Sequence, residues 1–124
     1  MPSEFFTEEG CFITELHNTE DDPAVSVARA RVEPGVRTAL HTVTVEERYL
    51  IESGKGVVTV GDRPPFPVGP GDVVLIPPRV PQRIENTSTV DLIFLCVCTP
   101  RFTPEGYRQV EPRQPGGSKD VKTE

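Results

Sequence analysis

Residues 35–54 read GVRTALHTVTVEERYLIESG, and residues 71–86 read GDVVLIPPRVPQRIEN. β-branched, aromatic and other apolar residues crowd the runs Thr38–Thr44 and Glu47–Ile51, which favours strands over helices. Side chains alternate across a strand with period two. His41 and Val43 therefore share one face of the first run, while Glu47, Tyr49 and Ile51 share a face of the second. Two adjacent strands of this kind can aim His41 and Glu47 at one point. The second stretch runs from Gly71 through Pro77 and Arg79 to Gln82 and Asn86 and can bring Gln82 to the same place. Arg48 and Arg83 alternate away from Glu47 and Gln82, toward the outside of whatever these strands enclose.

The same pattern continues on both sides. Cys11–Leu16, Val25–Val32, Val57–Val60, Val73–Ile76, Gln82–Glu85 and Val90–Cys98 are further strand candidates. They are separated by turn chemistry at Asp22-Pro23, Pro34-Gly35, Gly54-Lys55-Gly56, Gly61-Asp62, Gly69-Pro70-Gly71-Asp72, Pro77-Pro78 and Asn86-Thr87-Ser88. With 14 prolines and 10 glycines in 124 residues, reversals come too often for long helices. The expected fold is all-β, two packed antiparallel sheets closed into a barrel, over residues 1–110. Residues 111–124 are rich in Pro, Gly, Gln and charge and too poor in apolar residues to order themselves, and are expected to form a disordered tail. No repeat recurs at a fixed period, which excludes a solenoid or propeller.

Composition narrows the function classes. A chain of this length supports one core rather than two. Its longest apolar runs, Val73–Ile76 and Leu92–Val97, are far shorter than the roughly 20 residues of a membrane-spanning helix, so no membrane association is expected. Met1–Gly10 carries Glu4, Glu8 and Glu9 and no basic start before an apolar stretch, so the expected location is cytoplasmic. Three cysteines without CxxC spacing make neither a disulfide framework nor a zinc finger. A formal net charge of −6 repels phosphate, and Arg29, Arg31, Arg37 and Arg48 are too dispersed for a basic patch. Nucleic acid is not an expected partner; a small molecule is.

Taken together, the two quoted stretches resemble the paired motifs of the cupin superfamily, G-x5-H-x-H-x3-E-x6-G and G-x5-P-x-G-x2-H-x3-N. The frame matches at every spacing from Gly35 to Asn86, and the flanking strands are compatible with a cupin barrel, a double-stranded β-helix or jelly roll, out to about Tyr107. Three substitutions break the pattern: Val43 stands where the family has its second histidine, Arg79 where it has a glycine, and Gln82 where it has the last histidine. The resemblance implies a metal site in which only His41 and Glu47 remain of four ligands, joined by Gln82. Cupins hold Mn, Fe, Zn, Ni or Cu, and include dioxygenases, decarboxylases, isomerases and metal-free binding domains, so the fold leaves function open. His17 and His41 are the only histidines, and a three-histidine site cannot form.

Three mechanisms stay open at this point. A divalent metal (Mn, Fe or Zn) sits on His41, Glu47 and Gln82; or no metal is present, and His41 acts as general acid or base with Glu47 orienting its ring and Gln82 positioning substrate; or the site is a degenerate, non-catalytic pocket that binds a small molecule. The enzymatic readings imply isomerisation, elimination or metal-assisted oxidation of a polar or anionic small molecule. Arg29 and Arg31 share a strand face opposite Ser26, Ala28 and Ala30, and hold an anionic substrate if that face lines the lumen, or are solvated surface charges if it does not. Tyr49 reaches the lumen two residues after Glu47, as a substrate-binding hydroxyl or as core filling. Cys96 and Cys98 share a strand face at a Cα spacing of roughly 6.5–7 Å, at or beyond the reach of a disulfide, and are expected as buried thiols. Pairing of early strands into a homodimer is a further expectation.

Overall fold

The computed structural model of the protein describes residues 3–114. The period-two runs become strands, with three more that carry no such pattern. In chain order they are β1 (Glu4–Phe6), β2 (Phe12–His17), β3 (Ser26–Val32), β4 (Leu40–Val43), β5 (Glu46–Ser53), β6 (Gly56–Val60), β7 (Phe66–Val68), β8 (Val73–Ile76), β9 (Gln82–Asn86), β10 (Leu92–Thr99) and β11 (Tyr107–Glu111), with a single 3-10 turn at Pro104–Gly106. They form two antiparallel sheets, ordered β1-β2-β3-β10-β5-β8 and β11-β4-β9-β6-β7. This is the double-stranded β-helix expected from the alternation.

Burial follows the alternation residue by residue. Glu47, Tyr49 and Ile51 of β5 point inward while Arg48 and Leu50 do not, and Gln82, Ile84 and Asn86 of β9 do the same from the opposite sheet. Ile76, Ile84, Leu92, Val32 and Val58 have no exposed surface and make the centre of the core. Removing a side chain such as Ile84 down to alanine costs about 2–5 kcal/mol by lost burial and cavity formation.

Three motif positions have plain structural causes. Gly54 has φ +85°, and a Cβ there would stand 2.6 Å from the Asp91 carbonyl oxygen, so no other residue fits without moving β10. Asn86, fully buried, donates from Nδ2 to the carbonyls of Val32 and Val90, and its Oδ1 accepts from Ser88, so one side chain ties three segments together. Arg79 has φ 65°. That left-handed conformation is the reason a glycine suits this position in the motif, and it is one that Arg79 adopts at a cost.

The structure adds to the expected strand set for local reasons. β1 has all three residues exposed and so no alternation to read. β7 contains Pro67, which a sheet tolerates at its margin; β7 is the last strand of its sheet. β11 is mostly polar and exposed, and extends through Glu111, past the boundary drawn at residue 110. Gln114 then bridges Arg37, with backbone hydrogen bonds of 2.8 and 2.9 Å in the two directions. The start of the expected tail is thus paired, and residues 115–124 lie outside the described residues.

Candidate functional site

β4 and β5 are not the adjacent strands expected from the motif: they lie in opposite sheets, their inner faces confront one another across the barrel, and near one end the side chains between them leave a cavity of about 320 Å³. β4 contributes His41 and Val43, β5 contributes Glu47 and Tyr49, and β10 contributes Cys96 and Cys98. Register explains the grouping, because β10 pairs with β5 so that Cys98 lies opposite Glu47 and Cys96 opposite Tyr49. Like β10, the other segments that complete the walls lie outside the motif frame, among them the turn Thr7–Cys11 after β1 and Tyr107 at the start of β11. The turn is held by Thr7, whose N–H and hydroxyl both donate to the Cys11 carbonyl, and by the Glu9 carbonyl, which accepts from Ala39 N–H at 2.8 Å.

His41 is buried, and its ring is fixed from its own strand. Nδ1 lies 2.8 Å from the carbonyl oxygen of Ala39. A carbonyl only accepts, so Nδ1 carries the hydrogen, and in the neutral ring the lone pair sits on Nε2. Nε2 stands 3.8 Å from Glu9 Oε2. On one face the imidazole is covered by the Tyr107 ring. The orienting role expected of Glu47 therefore belongs to the Ala39 carbonyl and Tyr107, and Glu47 acts on the ring only through its charge.

Glu47 is also buried, and its Oε1 has no hydrogen-bond partner among the described residues. Burial, reinforced by the Glu9 carboxylate, pushes its carboxyl up to about 7 against the opposing pull of His41, the Gln82 amide and Cys96. The group is therefore poised to hold or release a proton near neutrality. Gln82 is fully buried and pairs in register with His41, yet it stands behind the cavity wall rather than in it. Its Oε1 accepts the Tyr49 hydroxyl, and its Nε2, close enough to Glu47 to favour the carboxylate, reaches no hydrogen-bond geometry with any described residue. Tyr49, expected in the lumen, does line the cavity with its ring, but its hydroxyl is spent on Gln82. Burial holds the thiols of Cys11 and Cys96 well above their ordinary range, which makes them inert rather than nucleophilic.

Arg29 and Arg31 are not brought to the site. β3 turns Ser26, Ala28 and Ala30 toward the cavity, so both arginines project from the outer surface. There Arg29 pairs with Glu52, and Arg31 pairs with Glu4 and Asp91. Conversely, Glu9 and Tyr107 reach the site from outside the motif frame. Glu9 lies in a turn without period, and Tyr107 begins a strand that reads as the end of the barrel, so neither carries a signal in the sequence. Nor does the donor set fit the metal that the motif frame implies. Among the described residues no three His, Cys, Asp or Glu side chains converge in a way that holds a metal ion. At the third ligand position stands an amide whose oxygen already accepts a hydrogen bond, and Val43 offers no donor at the fourth.

A two-sheet β-barrel with an inward-facing imidazole and carboxylate is the architecture of a cupin, and comparison with known proteins bears on that class. The family model described as "Cupin domain" matches residues 28–98, and the chain belongs to the cupin family. An uncharacterized protein of Methanocaldococcus jannaschii, MJ1618, is 38% identical over 110 residues, covering 86% of this chain and 87% of that one. Among solved structures, Bacillus subtilis oxalate decarboxylase superposes with a TM-score of 0.77 at 21% identity, over 88% of this chain but 30% of the enzyme, so this chain spans about a third of it. Streptomyces Pac13, described as a nucleoside dehydratase, superposes with a TM-score of 0.73 at 21% identity, over 90% of this chain and 86% of Pac13. Variants of Pac13 have been determined with uridine. At these identities the likeness concerns the fold. No described helix is long and apolar enough to cross a membrane.

Proposed function

We propose that the protein is an enzyme that moves a proton on a polar small molecule by acid–base catalysis, in an elimination or an isomerisation, without a resident metal. The observation that carries this reading is the hydrogen bond from His41 Nδ1 to the Ala39 carbonyl, which leaves the Nε2 lone pair at the cavity. Nε2 takes a proton from a substrate carbon activated by a neighbouring carbonyl, and the C–H electron pair becomes a C=C bond. In an elimination, Glu47 delivers its proton to the departing hydroxyl, so that water leaves as the C–O bond breaks. In an isomerisation, it delivers that proton to a neighbouring atom instead. Proton return from the imidazolium to Glu47 resets the pair. Burial favours this division of labour, because a carboxyl raised to about 7 is a competent donor at neutral pH.

Tyr107 supplies a further donor. Burial, and then Glu9, raise its hydroxyl well above the ordinary range, so it keeps its proton, and it has no partner among the described residues. The likeness to a nucleoside dehydratase is compatible with the elimination arm. An anionic substrate is not supported, because both arginines that were to hold it face outward.

The test is a library screen by thermal shift, with proton NMR of each hit to follow its conversion, repeated with His41→Gln. The expected result is that hits still bind the variant while conversion falls by about 10²–10⁴-fold. Hits that bind and are returned unchanged by the parent protein would instead identify a non-catalytic binding module.

A further inference from the structure

The charges around the cavity say more about its ligand than about its chemistry. Four glutamates line it, Glu8 and Glu15 at the exposed rim and Glu9 and Glu47 further in, and no lysine or arginine does so among the described residues. Four arginines of the surrounding strands are engaged on the outer surface, Arg29 with Glu52, Arg31 with Glu4 and Asp91, Arg48 with Glu46, and Arg83 with Glu111, while Arg113 packs outside the lining against Gly10 and over the Phe6 ring. His41 is thus the only side chain in the lining that can carry positive charge. Glu47, 7% exposed, keeps one buried carboxylate oxygen without a partner among the described residues. Much of the remaining wall is aromatic, with Phe94, Phe102 and Tyr107 presenting rings. A buried carboxylate demands a counter-charge or a proton, and aromatic faces attract cations more than neutral groups.

Resting on the acid–base reading of the same site, we propose that the ligand is a small organic cation. A protonated amine or ammonium group sits against Glu9 at the cavity mouth, with its carbon skeleton along the aromatic wall, and Glu47 behind it keeps the proton that the acid–base reading assigns to it. Glu9 is the specificity residue: it is placed by the turn Thr7–Cys11 and meets the ligand at the mouth.

Benzylamine, benzyl alcohol and benzoate have nearly the same shape and differ in charge, so calorimetric titration of the full chain with each tests the proposal. Benzylamine is expected to bind at least about tenfold more tightly than either of the others. Glu9→Gln should remove most of that preference and leave benzyl alcohol affinity unchanged, whereas Glu9→Asp should retain part of it. Equal affinities, tighter binding of benzoate, or no binding of benzylamine would overturn the proposal, as would stoichiometric binding of Zn or Mn alone that excludes benzylamine. His41→Gln separates this from the catalytic reading. The charge preference should survive that substitution, so a base assignment that fails leaves the cation site standing, and a lost preference leaves the base assignment untouched.

Discussion

The Tyr107 ring lies over the His41 imidazole, with centroids 5.1 Å apart and planes 24° from parallel. β11 is held to β4 in the register that sets Gln109 opposite His41 and Tyr107 opposite Val43, so the stack is a product of strand pairing. Tyr107→Phe keeps the ring and removes an unpartnered buried hydroxyl. Chemical denaturation should show a change within about 1 kcal/mol, while conversion of a substrate falls by roughly tenfold or more if the hydroxyl donates to it. Tyr107→Ala, which loses the stack as well, should destabilise by at least about 2 kcal/mol.

The tautomer of His41 is directly measurable. Long-range proton–nitrogen correlation spectra at alkaline pH should show His41 with its hydrogen on Nδ1 and Nε2 bare. A bare Nδ1 would contradict the Ala39 hydrogen bond and remove the base from the cavity.

Glu47 makes stability depend on pH in a defined direction. The unfolded chain releases this proton near 4.5 and the folded protein near about 7. Between those values the folded state binds more protons, so stability falls as pH rises and the loss is complete above about 7. Glu47→Gln abolishes this contribution. Melting curves should show the variant and parent alike in acid, and the variant more stable at alkaline pH by on the order of 3 kcal/mol. A variant less stable than its parent at every pH would show that the carboxylate is compensated in the fold.

Arg79 offers a test of backbone strain. With φ 65° it pays for a conformation that glycine adopts freely. Arg79→Gly should stabilise the protein by up to about 1 kcal/mol, and Arg79→Val should destabilise it by more than that.

Metal binding can be built as well as assayed. Protein purified without chelator and then exposed to Mn, Fe or Zn should retain substoichiometric metal by elemental analysis. Introducing Val43→His and Gln82→His together restores the family's full ligand set and should bring stoichiometric retention. Stoichiometric metal on the parent protein, weakened by Glu47→Ala, would restore the metal-dependent mechanism.

The sequence made the barrel legible because its strands are half-buried and alternate cleanly, β5 and β9 above all. The spacing of the motif frame located His41 and Glu47 in the same way. Gln82 was harder to read: alternation correctly turns it inward, but depth is a tertiary property, and only the Tyr49 hydroxyl and the packing of two sheets set it behind the wall. Arg29 and Arg31 illustrate the same limit, since alternation separates two faces without saying which is inner. β1, β7 and β11 escape for want of pattern, being exposed, proline-bearing and polar respectively. Glu9 escapes because a turn residue's reach depends on what the turn packs against.

The barrel interior is made by strands within the motif frame and by β3 and β10 that flank it, whereas Glu9 and Tyr107 reach the cavity from the Thr7–Cys11 turn and from the start of β11. The cavity is thereby lined in part by core strands and in part by residues that stand outside the hydrophobic core. Exchanging Glu9 alone would change what the mouth recognises on an unchanged scaffold, whereas exchanging Tyr107 would change recognition and folding together.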